Sequence, residues 1–139
     1  MMAAGNEKAN QPRTRTVGTK RSRKEAAYTH IGFKAAERTR KQSGLDPQGM
    51  AMFLGVSEKT YGRRAEEGVF SEAESLKLEM LGRVMQTALE VFPDEATARR
   101  WLHTRVVGLG NATPLATLTG IHGYERVRNT LYGLAYGMF

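Results

Sequence analysis

The sequence predicts an all-α protein, and three observations lead there. From about residue 25 onward apolar side chains recur at spacings of three and four rather than two. Alternating β-branched runs are missing, and Arg105-Val106-Val107 is too short to build a sheet. Helix-start signals recur along the chain, at Asp46-Pro47, Ser57, Ser71, Asp94 and Thr113-Pro114.

Taken in order, residues 1–24 are Gly, Asn, Gln, Pro, Thr and basic side chains with almost nothing to bury, and read as a disordered arm. This arm carries seven Lys/Arg against the single acid Glu7, so it accounts for +6 of the chain's net +7. Such a tail neutralises phosphates without reading sequence. Asp46 as N-cap and Pro47 as first helical residue open a short helix through Met50, Met52, Phe53 and Leu54. Gly55-Val56 turns the chain, Ser57 caps a helix from Glu58 to Glu67, and Gly68 ends it.

Ser71-Glu-Ala-Glu74 fits a capping box and starts a longer helix. Along it Leu78, Leu81, Met85, Ala88 and Phe92 repeat at helical spacing, with Leu76, Met80, Val84 and Leu89 widening the stripe. A helix this apolar must be packed on more than one side. Pro93 breaks it, and Asp94 caps another helix that runs to Leu102 with Trp101 as anchor. Gly108 and Gly110 supply positive φ to a loop, and Thr113-Pro114 restarts the helix pattern. Gly120 and Gly123 frame a turn. The last helix then places Tyr124, Val127, Leu131 and Leu134 on one face. The predicted division is a basic arm at 1–24, a helix-turn-helix unit at 25–70 and a second helical unit at 71–139.

A chain of 139 residues allows one compact unit or two small ones. It has no cysteine, which excludes disulfides and thiolate zinc sites and fits a reducing cytoplasm. No apolar run approaches the ~20 residues that span a bilayer, and no apolar segment follows the basic start as in a secretory signal. A cytoplasmic protein that engages no membrane is the expectation.

Catalysis is hard to build from these residues. His30, His103 and His122 lie far apart, without the pairing a metal site needs, and no nucleophile elbow, Walker A or H-E-x-x-H motif occurs. Gly108-Leu-Gly110 suggests a dinucleotide loop. However, Thr113 occupies the third glycine position, a helix precedes the loop instead of a strand, and no second strand follows. The expectation is a non-enzyme with no catalytic residues, no metal and no cofactor of its own.

DNA binding has better support. Residues 46–67 read helix, glycine turn, helix, and residues 34–64 hold seven basic and three acidic side chains. On the second helix Ser57, Lys59, Thr60, Arg63 and Arg64 are the candidates for contact with bases or phosphates. At the other end Tyr132 and Tyr136, four apart, lie on a different face from Val127 and Leu131. The sequence stops on apolar Met138-Phe139. Aromatic side chains placed this way are offered to a partner.

The order of these motifs resembles the Xre/MbcA/ParS family of type II antitoxins, over residues 32 to 139. The matching pieces are Phe53-Leu-Gly-Val-Ser57 with Thr60 and Arg63-Arg64, then Gly68 before Ser71, and Val91-Phe92 with Asp94. Trp101-Leu102, Leu109-Gly-Asn111, Thr113-Pro-Leu115 and Tyr136-Gly137 follow. The family often has a second glycine where Asn111 stands, and Leu or another helix former near Tyr61-Gly62. The resemblance implies an Xre-like helix-turn-helix followed by a toxin-binding domain, in a homodimer. It further implies a RES-domain toxin partner that depletes NAD, whose active site the C-terminal end enters. NAD would then belong to the partner. Tyr132, Tyr136, Gly137, Met138 and Phe139 become the candidate toxin-binding residues, and operator DNA the second partner. The alternative reading is a stand-alone helix-turn-helix regulator whose C-terminal half only dimerises.

Overall fold

The computed structural model describes residues 30–137. The basic arm at 1–24 and the terminal Met138 and Phe139 therefore lie outside the described residues. Among the described residues the elements are α1 (Phe33–Gln42), α2 (Pro47–Leu54), α3 (Glu58–Glu67), α4 (Glu72–Val91), α5 (Glu95–Leu102), a 3₁₀ turn (Val107–Leu109), α6 (Pro114–Thr117) and α7 (Ile121–Tyr136). The protein is all-α. Its only β pairings among these residues are the isolated bridges Gly32–Val69 and Val106–Ala112.

Helix starts fall where the capping side chains stand. Asp46 accepts from Gly49 N, Ser57 from Thr60 N, Asp94 from Thr97 N and Thr113 from Ala116 N. Each satisfies an amide that has no intrahelical acceptor. Ser71 and Glu74 form the reciprocal capping box. Gly55 and Gly68 close α2 and α3 in the left-handed conformation, at φ 78° and 82°.

The long helix α4 is the spine. Leu78, Leu81, Val84, Met85 and Ala88 are buried along it, within one core that runs from Ala36 in α1 to Leu131 in α7. α1, α2, α5 and α7 all pack against it. Leu76 departs from the expected stripe. It is 58% exposed, because it projects from the side of α4 opposite Leu78 and Leu81. Leu134 is likewise exposed rather than inward.

Two glycine expectations are corrected. Gly123 lies inside α7 instead of framing a turn. A Cβ there would sit 1.9 Å from the Thr117 carbonyl oxygen, so this glycine permits close packing of α7 on α6. In the loop before α6, positive φ falls on Gly110 (68°) and Asn111 (65°), not on Gly108. Asn tolerates the left-handed region better than other non-glycine side chains, which suits it to this position.

Candidate DNA-binding and partner-binding surfaces

The helix-turn-helix is fixed from behind. Ile31 N donates to Ser75 Oγ at 2.7 Å, while Phe33 N–Gly68 O and Phe70 N–Ile31 O bonds, both 2.9 Å, tie the start of α1 to the end of α3. Tyr61 points inward from α3, 4% exposed, between the rings of Phe33 and Phe70 at 5.6 and 5.7 Å. Its hydroxyl donates to Glu37, which also takes two bonds from Arg40, at 2.8 and 2.9 Å. Tyr61 therefore buries its ring while its hydroxyl finds a half-buried acceptor. Arg40 and Tyr61 together hold the Glu37 carboxyl below its ordinary range, and burial beside Glu37 pushes the phenol up.

The five candidate DNA contacts have different surroundings. Lys59 and Arg63 are exposed, one turn apart on α3, and make no ion pair among the described residues. Ser57 and Thr60 are engaged at the helix start, where Ser57 Oγ accepts from Thr60 N at 3.0 Å and donates to Thr60 Oγ1 at 3.1 Å. Arg64 requires a correction as a free DNA contact. Its Nε and Nη2 meet both oxygens of Glu74 at 2.8 and 2.9 Å, and its Nη1 meets Glu67 at 2.8 Å. Only 18% of its side chain is exposed. Glu74, 8% exposed, is held below its ordinary range by this guanidinium. The pair fixes α3 on the first turn of α4.

Sequence reasoning missed one basic feature. Lys34, Arg38 and Lys41, spaced by four and three, are all exposed on α1. The local positive charge was countable, but its division between two helices was not.

At the C-terminal end Val127 and Leu131 are fully buried against α4, while Tyr132 is 43% and Tyr136 is 74% exposed. Gly137 closes α7 in the left-handed conformation at φ 65°. These three candidates thus lie together on the last turns of α7, and Met138 and Phe139 follow beyond the described residues.

A groove of about 400 Å³ opens between α2 and α6, lined in part by Met52, Phe53, Leu115 and Leu118. Its two titratable groups are engaged. Lys77 Nζ donates to the Phe53 carbonyl at 2.8 Å and lies over the Phe53 ring, and His103 Nε2 donates to the Ser43 carbonyl at 2.7 Å. No carboxylate lines it. Among the described residues no helix is long and apolar enough to cross a membrane.

Two family models match the chain. An antitoxin Xre-like helix-turn-helix domain matches residues 22–83, and an antitoxin Xre/MbcA/ParS C-terminal toxin-binding domain matches residues 87–137. A curated relative, antitoxin Xre of Yersinia enterocolitica, is 32% identical over 78 residues, covering 55% of this chain and 53% of that protein. The chain thus spans about half the length of that relative. The fold is similar to a chain of the M. tuberculosis MbcT-MbcA toxin-antitoxin complex. The TM-score is 0.62 at 20% identity, over 77% of this chain and 96% of the other.

Proposed function

The chain belongs to the Xre/MbcA/ParS family of antitoxins, and from that premise we propose that it neutralises a RES-type, NAD-depleting toxin by occluding its active site. It does so as a homodimer, through the last turns of α7, with Tyr132, Tyr136 and Gly137 followed by Met138 and Phe139. It also represses its own operon through α3, with Lys59 and Arg63 reaching the operator. Its work is binding, not catalysis.

The observation that carries the reading is the exposure of Tyr132 and Tyr136 at the end of the region that matches a toxin-binding domain. Large aromatic side chains left in water at a helix end are favourable for a partner's pocket to bury. The DNA reading is supported by exposed Lys59 and Arg63 on a helix whose pose Tyr61 and Arg64 fix. Ser57 and Thr60 contribute by starting that helix, and Arg64 by orienting it.

The test is growth and intracellular NAD in cells that express the neighbouring open reading frame, with and without this protein. Growth arrest and NAD loss reversed by this chain are expected. A harmless neighbour, or one that this chain does not rescue, would favour a stand-alone regulator.

A further inference from the structure

The outward face of α7 has more on it than the two tyrosines. On the outer side of α7, away from the buried Val127 and Leu131, lie exposed Ile121, Glu125 and Tyr132, with half-buried Arg128 on the flank of the same stripe, the four spaced by four, three and four. That is the period of a seam between two helices. Ile121 is 58% exposed and Tyr132 43%. In the middle stand one acid and one base, each turned to a neighbour on its own helix. The Glu125 carboxylate lies 3.9 Å from His122 Nδ1, and the Arg128 guanidinium lies 5.6 Å over the Tyr124 ring. Arg128 Nε is buried and has no acceptor, the one such side-chain atom among the described residues. An unsatisfied buried donor is unfavourable. The seam lacks a carboxylate at this point.

We propose that α7 pairs antiparallel with α7 of a second copy of this chain, about a twofold axis that crosses the helix between Arg126 and Val127. In that register Glu125 of each chain faces Arg128 of the other, and Ile121 faces Tyr132. A twofold interface requires that residue i meet j and that j meet i, and this seam meets the requirement with opposite charges at its centre. Parallel pairing would set Glu125 on Glu125 and Arg128 on Arg128. The incoming carboxylate draws the guanidinium off Tyr124 and gives it a two-pronged acceptor. The two Tyr136 side chains then sit roughly 28 Å apart along the axis, at 1.5 Å per residue. The last turns of the two copies therefore point to opposite ends, clear of the seam, with Tyr132 at the boundary. The pairing rests on the homodimer of the proposed function and gives that homodimer its surface.

Sedimentation velocity on the full chain, over a concentration series, tests it with Glu125→Arg, Arg128→Glu and the double exchange. Wild type is expected to dimerise. Each single exchange brings like charges together and should weaken the dimer about tenfold or more. The double exchange should restore it. Ile121→Asp, which leaves both charges alone, should also weaken it. A monomeric wild type, single variants that dimerise like wild type, or a double exchange that stays monomeric with an unchanged helical circular dichroism signal would each overturn the seam. Toxin rescue is scored in parallel. A single variant that loses the dimer and still rescues supports the seam and leaves the antitoxin reading standing. One that keeps the dimer and loses rescue overturns the seam.

Discussion

At its first turn α4 holds α3 by charge, and further along it holds α7 by apolar packing. The first junction is Arg64 on Glu74, two bonds at 2.8 and 2.9 Å around a capping box. The second is Val127 and Leu131, both 0% exposed, against the buried stripe of α4. Charge-assisted, two-pronged bonds fix orientation, which the proposed docking of α3 in a DNA groove would require. Apolar packing fixes position with little angular preference. It suits a helix whose outward face is proposed to do the recognising.

The difference can be broken first at the apolar junction. Leu131→Ala should lower stability by about 2–5 kcal/mol through reduced burial and a residual cavity, read by denaturant unfolding. At the charged junction Glu74→Gln should cost less, about 1–3 kcal/mol, since it weakens hydrogen bonds to a charged group. It should also reduce DNA affinity by loosening α3 while leaving the salt dependence of binding unchanged. A flattened salt slope in this variant would place Arg64 on the phosphates after all.

Acid sharpens the contrast. Arg64 keeps the Glu74 carboxyl below its ordinary value of 4.5, and Arg40 and Tyr61 do the same for Glu37. Lowered folded values mean that the unfolded chain binds these protons first. The stabilisation is therefore fully present above about pH 4.5 and is lost as pH falls through the depressed folded values. Thermal melts from pH 6 downward should show wild type losing stability in that window and Glu74→Gln losing less. Parallel curves for the two would contradict the role given to the ion pair.

Ser71→Ala, which removes half of the capping box, should cost about 1 kcal/mol. The smallest effect on stability, within about 0.5 kcal/mol, is expected for Lys59→Ala with Arg63→Ala, because both are exposed. That variant should instead lower the slope of log affinity against log salt by about 0.9 for each phosphate no longer neutralised. An unchanged slope would move the phosphate-binding role elsewhere, with exposed Lys34, Arg38 and Lys41 next to test.

Much of this architecture was legible in the sequence because helix starts are local. Asp46, Ser57, Ser71, Asp94 and Thr113 each cap an amide three residues on. The buried stripe of α4 was legible for the same reason, since period alone defines a face. Tertiary partnerships were not. Arg64 and Arg63 are indistinguishable in sequence, and only the placement of Glu74, ten residues on, separates the buttress from the exposed cation. Gly123 reads as a turn glycine until α6 is laid against it. The exposure of Tyr132 and Tyr136 followed from their helical offset to Val127 and Leu131, whereas the unsatisfied Arg128 Nε has no sequence signal.

The most direct measurement is toxin rescue by a chain truncated before Tyr136, alongside its melting temperature and operator binding. The last turn of α7 lies outside the core, so fold and DNA binding should persist while neutralisation is lost. Full rescue by a folded truncation would falsify the assignment of toxin occlusion to Tyr136–Phe139.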